Sequence, residues 1–344
     1  MQNLNEHHDN NFNIQQRRYI GSKYKLMPWI KKLILDNTQG KSFFDVFAGT
    51  GSVTMEMLDT YNTFYINDFL YSNQIIFEAF FDNSPFNESK LILYKDQFNH
   101  LEGRTFDDDY FSKNYGNRYF SFHDAEIIGE VRERIKRLKN INKRERSILI
   151  ASLIYSADCI ANTVGHYDAY RKIPNIKNRF RFRLINPLNT SGKNIIISRM
   201  DANILAPKIR ADVAFLDPPY NSRQYSRFYH VLEEIAEWNK PKLFGIALKP
   251  TPENMSNYSR ISAPKTFDDL VQNLNAKFIV TTYNNTYENA KSSSSRNKIT
   301  HQQILGSLNN VGYTKTFNHS YRFFNAGNTN LKNHNETLFI TEVK

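Results

Sequence analysis

The chain has one cysteine, Cys159, among 344 residues. A single thiol cannot build a disulfide framework or a multi-thiolate zinc site. No run of about 18 apolar residues occurs, so no membrane-spanning helix is expected. The opening MQNLNEHHDNNFNIQQRR lacks the apolar stretch of a secretory signal. A reducing cytoplasm is therefore the expected address. The nine histidines show no ligand spacing, so no metal is expected. What remains is ample for a core: 40% of residues are apolar and 23% charged, which excludes full disorder. At roughly 150 residues per domain, the length fits two domains, or one large domain carrying an insertion.

Negative charge is short in one place only. Between Arg118 and Arg199 there are 17 Lys and Arg against 7 Asp and Glu, so this stretch carries +10 of the net +11. A solvated basic helix face is the plain account. A surface built for a polyanion is the sharper one, because each cation near a phosphate releases a condensed counterion. Aromatic residues alternate with the charge, as in Arg118-Tyr119-Phe120 and Arg179-Phe180-Arg181-Phe182-Arg183, and stacking beside cations suits nucleic acid. Arg118, Arg171, Lys172, Arg179, Arg181, Arg183 and Arg223 are the candidate contacts to nucleic acid.

Residues 1–16 are rich in Asn, Gln and His and are expected to form a flexible tail. Ser22 to Asn37 reads as a helix, Phe43 to Phe47 as a strand, and a helix follows from Ser52. Thr63 to Asp68 is the next strand, and this order indicates a parallel α/β sheet. Two helices are expected over 124–139 and 143–162, then irregular chain over 165–193. Strand patterns return at 194–198, 212–216, 277–283 and 337–343. Gln224 to Trp238 reads as one helix, with Phe228 and Trp238 as core residues, and a proline-rich break covers 241–264. A catalytic α/β domain of 17–76 and 194–344 is thus interrupted by a mainly helical basic insertion, 77–193.

Two motifs carry chemistry. Asp45-Val46-Phe47-Ala48-Gly49-Thr50-Gly51-Ser52 places glycines between a strand and a helix, where the backbone can approach a ligand closely. Asp68 ends the next strand, 23 residues after Asp45, placed for ribose hydroxyls or, more plainly, as a helix cap. The loop lacks both the triphosphate pattern and a third dinucleotide glycine, since Thr54 stands three residues after Gly51. That favours S-adenosylmethionine, which has no pyrophosphate to cradle. The second motif, Asp217-Pro218-Pro219-Tyr220, follows the apolar strand Val213-Ala214-Phe215-Leu216. Prolines cannot donate backbone hydrogen bonds and fix an extended path, so carbonyls and the Asp217 carboxylate are presented at the strand's carboxyl end. Those acceptors suit an exocyclic amino group, with Tyr220 stacking on its base.

With these motifs in this order, the sequence resembles the Dam-like, alpha-group adenine-specific DNA methyltransferases. Arg18-Tyr19-Ile20-Gly21-Ser22-Lys23 resembles their N-terminal cofactor motif, Asn67-Asp68 the acidic strand end, and Met200-Asp201-Ala202 the short acidic motif. Lys277 to Asn285 and Glu336 to Ile340 resemble their later strands. The resemblance implies a Rossmann-like methyltransferase sheet, S-adenosylmethionine as donor, the amino group of adenine as acceptor, and extrusion of that base from the duplex. It also implies an inserted target-recognition region where the basic segment lies. By the same resemblance Tyr19 and Lys23 meet the methionine end of the cofactor, Phe47, Ala48, Gly49 and Gly51 shape its pocket, and Asp45, Thr50 and Ser52 of the same motif are further cofactor-binding residues. Asp68 binds its ribose, and Asp201 with Ala202 lies near its adenine. Asp217, Pro218, Pro219 and Tyr220 form the catalytic set. A restriction-modification role follows, as a monomer or weak dimer, with a cognate endonuclease sharing the site but not bound to the chain.

Other readings stay open at this level. Methylation of the cytosine amino group or of RNA is the nearest alternative, and a non-catalytic nucleic-acid-binding relative is another class. A small-molecule methyltransferase leaves the basic insertion unexplained. Methylation of a cytosine carbon would need a cysteine nucleophile, and Cys159 follows Asp158 rather than proline. Arg223, Tyr225 and Arg227 are either phosphate contacts or helix surface. Gly165-His166-Tyr167-Asp168-Ala169-Tyr170 either faces DNA or caps a helix.

Overall fold

Successive residues of the central strands enter opposite apolar clusters, as a sheet covered on both faces requires. Phe43, Val213, Phe215, Phe278, Val280, Leu338 and Ile340 join one cluster, and Phe44, Ala214, Leu216, Ile279 and Phe339 join the other. In the computed structural model, which describes residues 11–101, 106, 109–220, 222, 224–285, 297–320 and 335–344, the strands are β1 (Ser42–Asp45), β2 (Thr63–Asp68), β3 (Asn194–Arg199), β4 (Arg210–Leu216), β5 (Asn275–Asn284), β6 (Gly312–Ser320) and β7 (Asn335–Val343). They form one sheet in the order β3-β2-β1-β4-β5-β7-β6. β1 to β5 pair in parallel, while β7 runs antiparallel to β5 and to β6. The sheet is therefore mixed, not wholly parallel. Sequence reading misses β6 because most of its residues are polar or exposed.

The helices before β3 are α1 (Met27–Asn37), α2 (Ser52–Met57), α3 (Tyr71–Phe81), α4 (Glu88–Asn99), α5 (Tyr110–Tyr115), α6 (Phe122–Arg137) and α7 (Lys143–Ile160). Those after it are α8 (Ala202–Leu205), α9 (Tyr225–Phe228), α10 (His230–Glu237), α11 (Ala263–Asn273) and α12 (His301–Val311). α1 starts later than its pattern suggests, after a short 3-10 turn over Tyr24–Leu26. α7 starts at a reciprocal cap, in which Asn142 accepts from Glu145 N–H and Glu145 accepts from Asn142 N–H. The helix expected over 224–238 breaks at Tyr229, at φ −116° and ψ 22°.

The basic insertion and the sheet share one core. Ile128, Val131 and Ile135 of α6 and Leu149 and Leu153 of α7 belong to the same apolar cluster as Phe43 and Phe215. Nor is the N-terminal segment loose as far as it is described. Phe12 and Ile14 are buried in that cluster, and Phe12 N–H donates to Leu184 O at 2.8 Å. A polar composition concealed two apolar anchors there. Among the described residues no helix is long and apolar enough to cross a membrane.

Candidate active site

In the strand order, β1 and β4 lie side by side with their successors on opposite flanks, which leaves a crevice at their carboxyl ends. Both sequence motifs open into it, the glycine loop from β1 and Asp217 from β4. Residues of both motifs line one partly open cleft there.

Gly49 and Gly51 sit at φ 56° and 74°, the left-handed region that favours glycine. A Cβ on Gly51 would lie 2.9 Å from Ile14 Cδ1 and 3.0 Å from Phe81, and one on Gly49 3.3 Å from the Tyr19 ring. The loop is thus packed from behind by the N-terminal segment and α3. Asp68 fixes its front: one carboxylate oxygen accepts from Gly49 N–H and the other from Leu70 N–H, each at 2.9 Å. Burial raises the Asp68 carboxyl above its ordinary value, and these two N–H groups oppose that shift.

Tyr19, Lys23, Phe47, Ala48, Gly49, Thr50, Asp68, Asp201 and Ala202 all line the cleft, with Asp217 and Pro219. Three expected cofactor residues do not: Asp45, Gly51 and Ser52. Asp45 is buried behind the loop, where it accepts from Thr54 Oγ1 at 2.7 Å and its other oxygen has no hydrogen-bond partner among the described residues. Burial pushes its carboxyl up to about 7, against the Thr54 bond and helped by the nearby Asp217 and Asp68 charges. Gly51 faces Ile14 and Phe81, and the Ser52 hydroxyl pairs with Thr50 Oγ1 at 2.8 Å. Pro218 and Tyr220 also stand outside the cleft lining.

The β4 end carries a dense polar knot. Asp217 Oδ1 lies 3.0 Å from Lys23 Nζ and accepts from Thr282 Oγ1 at 2.7 Å and from the Tyr220 hydroxyl. Its Oδ2 has no protein partner among the described residues. Lys23 also reaches Glu336 of β7 at 3.1 Å. Burial alone would lower the Lys23 ammonium, but the Asp217 and Glu336 carboxylates outweigh it and hold it well above the ordinary range. The Tyr220 hydroxyl is 2.7 Å from Thr282 O, and its ring stands edge-on to Tyr283. Tyr220 therefore directs its polar end inward onto Asp217.

Residues outside the motifs complete and brace the walls. Tyr258 meets Phe47 edge to face at 5.1 Å and donates to Asn203 Oδ1 at 2.7 Å. Gln224 holds Ser256 through two hydrogen bonds, and both line the cleft. Tyr19 is stacked on Tyr229 at 4.9 Å, whose hydroxyl accepts from Ile20 N–H. The break between α9 and α10 is what presents that ring. Asp201 caps α8 through Asn203 N–H.

Of the expected DNA contacts, Arg171, Lys172, Arg179 and Arg181 are exposed. Arg179 is also tied down, with its N–H on Asp124 and its guanidinium on Ile160 O. Arg118 bonds Asn114 O at 2.9 Å. Arg183 lies over the Phe12 ring at 3.9 Å. Arg223 lies outside the described residues. The 165–170 motif turns inward: Tyr167 is fully buried, its hydroxyl donates to Asp158 at 2.9 Å, and its N–H donates to Phe228 O at 2.7 Å. Among the described residues no three His, Cys, Asp or Glu side chains are grouped to hold a metal ion.

A family model described as D12 class N6 adenine-specific DNA methyltransferase matches residues 19–299. The chain is similar to Modification methylase StsI of Streptococcus sanguinis, 34% identical over 287 residues covering 78% of this chain and 44% of that protein. It is similar to Type II methyltransferase M.FokI of Planomicrobium okeanokoites, 32% identical with coverage of 77% and 44%. Type II methyltransferase M.CviAII of Paramecium bursaria Chlorella virus 1 is 32% identical, with 77% and 82% covered. The chain thus spans less than half the length of the first two.

Proposed function

Since the chain belongs to the D12 class of N6 adenine-specific DNA methyltransferases, we propose that it transfers a methyl group from S-adenosylmethionine to the exocyclic amino group of adenine in double-stranded DNA. The biological setting is the modification arm of a restriction-modification system, with an endonuclease reading the same sequence. The observation that carries this reading is Asp217: its Oδ1 is held by three groups while its Oδ2 accepts no hydrogen bond among the described residues, in a cleft that also contains the glycine loop and Asp68.

The chemistry of the cleft lining suits S-adenosylmethionine. Asp68 offers carboxylate acceptors beside the glycine loop, and the Phe47–Tyr258 pair supplies an aromatic wall for a purine. When bound, the cofactor supplies an electrophilic methyl on a sulfonium. The protein's part is positioning and field. Asp217 Oδ2 and the Pro218 carbonyl accept the two amino hydrogens of adenine, which fixes the nitrogen's lone pair toward the donor. The carboxylate would stabilise the nitrogen as it becomes cationic, and the surplus proton of the methylated amino group would then leave to solvent, giving a neutral product. Tyr220 and Thr282 keep the carboxylate from turning away, and Lys23 with Glu336 anchors it to the sheet. The exposed Arg171 and Lys172 hold the phosphates of a duplex whose target base has left the stack.

The test is sequencing of modified bases in DNA from cells expressing the chain. N6-methyladenine within one short sequence, lost with Asp217→Asn, is the expected result. Methyl groups on cytosine would overturn the substrate assignment.

A further inference from the structure

Between α10 and α11 the fold holds an apolar tip rigidly in solvent. Phe244 and Lys249 pair across a tight turn, with Phe244 N–H to Lys249 O at 2.8 Å and Lys249 N–H to Phe244 O at 3.0 Å. Inside the turn Leu248 sits at φ 51°, a left-handed conformation leucine rarely adopts. The carbonyl of Ala247 is gripped from below by two buried side chains, the Tyr119 hydroxyl at 2.9 Å and His230 Nε2 at 2.9 Å. Lys249 is ion-paired with Asp168. What this frame lifts outward is Ile246, 85% exposed, and Phe244, 51% exposed. Strain of this kind persists only where neighbours over-determine it, and it gathers at functional sites.

The location of the turn decides what it meets. Tyr119 follows Arg118, and the Tyr119 hydroxyl also lies 2.8 Å from Tyr167 O. Asn162 donates its N–H to Tyr119 O at 2.7 Å and its side-chain amide to the carbonyls of Arg118 and Arg171. The backbone of Arg118 and of Arg171 is therefore tied through Asn162 to the hub that anchors the turn, and Lys172 is next along the chain. The chain leaving the turn runs back into the active-site wall. Arg227 bonds Pro250 O at 2.5 Å and Ser226 bonds Glu253 O at 3.0 Å. Ser226 and Asn254 line the cleft that contains Asp217.

We propose that the 244–249 turn is a base-displacing wedge: Ile246, backed by Phe244, enters the duplex and fills the stack position that the adenine vacates. This rests on the reading above that the substrate is adenine in duplex DNA. A departed base leaves a gap between apolar faces. A branched alkyl side chain suits that gap better than water does, while flanking cations hold the phosphates on either side. Anchoring at Ala247 matters because a tip already ordered loses little entropy on entering the helix.

Once the target sequence is known, single-turnover methyl transfer on two duplexes tests the proposal. One has the target adenine fully paired, and the other has it opposite an abasic site, where no pairing must be broken. Ile246 is a surface residue, so Ile246→Ala leaves the fold intact, and Ile246→Leu keeps the volume. Ile246→Ala is expected to slow transfer on the paired duplex by roughly tenfold or more, to recover the parental rate on the abasic-site duplex, and to bind S-adenosylmethionine as the parent does. Ile246→Leu keeps both rates. An undiminished rate for Ile246→Ala on the paired duplex, or an equal loss on both, overturns the wedge. A parent enzyme that methylates adenine in neither duplex overturns the substrate reading beneath it.

Discussion

The ammonium of Lys23 lies 3.0 Å from Asp217 and 3.1 Å from Glu336, so one buried cation ties the N-terminal motif to β4 and β7. Removing it as Lys23→Met leaves two carboxylates facing each other in a water-poor space. The expected loss of stability is about 3–5 kcal/mol, the scale for breaking a buried ion pair from one side. Adding Glu336→Gln should restore part of that loss. Urea unfolding of the single and double variants measures it, and strictly additive losses would show that the charges do not interact.

Asp217→Asn keeps the side chain's size and one acceptor but removes its charge. Methyl transfer should fall by about 10²-fold or more, the scale of a lost preorganised electrostatic contact. Cofactor and DNA affinity should persist, since the interaction is strongest in the transition state. Single-turnover rates beside equilibrium binding separate the two, and a near-normal rate would remove Asp217 from the chemistry.

Asp68→Ala removes both the lock on the glycine loop and the acceptor proposed for the ribose. Affinity for S-adenosylmethionine should fall by about 1.5–3 kcal/mol, as for lost hydrogen bonds to a charged group. Calorimetry on the variant is the measurement, and unchanged affinity would assign Asp68 to the loop alone.

The basic surface makes a graded prediction. Arg171→Ala and Lys172→Ala should each lower the log–log salt slope of DNA binding by about 0.9, the contribution of one phosphate contact. Arg183→Ala should change the slope less and stability more, because that guanidinium covers Phe12. Fluorescence titrations over a range of salt would show the difference.

Asp45 gives a pH dependence with a definite sign. Its carboxyl is pushed up to about 7 in the fold by burial, against about 3.9 when unfolded. The folded protein therefore binds the extra proton between those values, and this contribution to stability is lost as pH rises through about 7. Asp45→Asn should remove that decline and raise Tm at pH 8 more than at pH 5. Thermal melts at the two values test it, and an equal change at both would contradict it.

The parts legible in the sequence were those whose signal is local. Short apolar and alternating stretches located β1, β2, β3, β4, β5 and β7, and Gly49, Gly51 and the Pro218-Pro219 step marked the two loops of the cleft. α3 was missed for a physical reason: nine of its eleven residues are buried, so it has no polar face to create a helical period. Tyr258, Ser256 and Asn254 come to the cleft from a proline-rich stretch with no regular pattern. Glu336 was visible only as part of a strand. Its meeting with Lys23 depends on β7 lying next to β5, which no spacing along the chain encodes. Asp45 misled for the opposite reason, since it belongs to the motif yet points behind it.

The continuous core beneath the sheet constrains how such an enzyme could acquire a new target. Because α6 and α7 complete the cluster that holds Phe43 and Phe215, the proposed recognition region cannot be exchanged as a cassette without stripping the sheet's cover. On the proposed reading that the basic segment meets DNA, a change of specificity would fall on its exposed positions, such as Arg171, Lys172 and Arg181, on a frame that stays fixed. A directed-evolution library confined to those positions tests that reading while leaving the buried part of the molecule untouched.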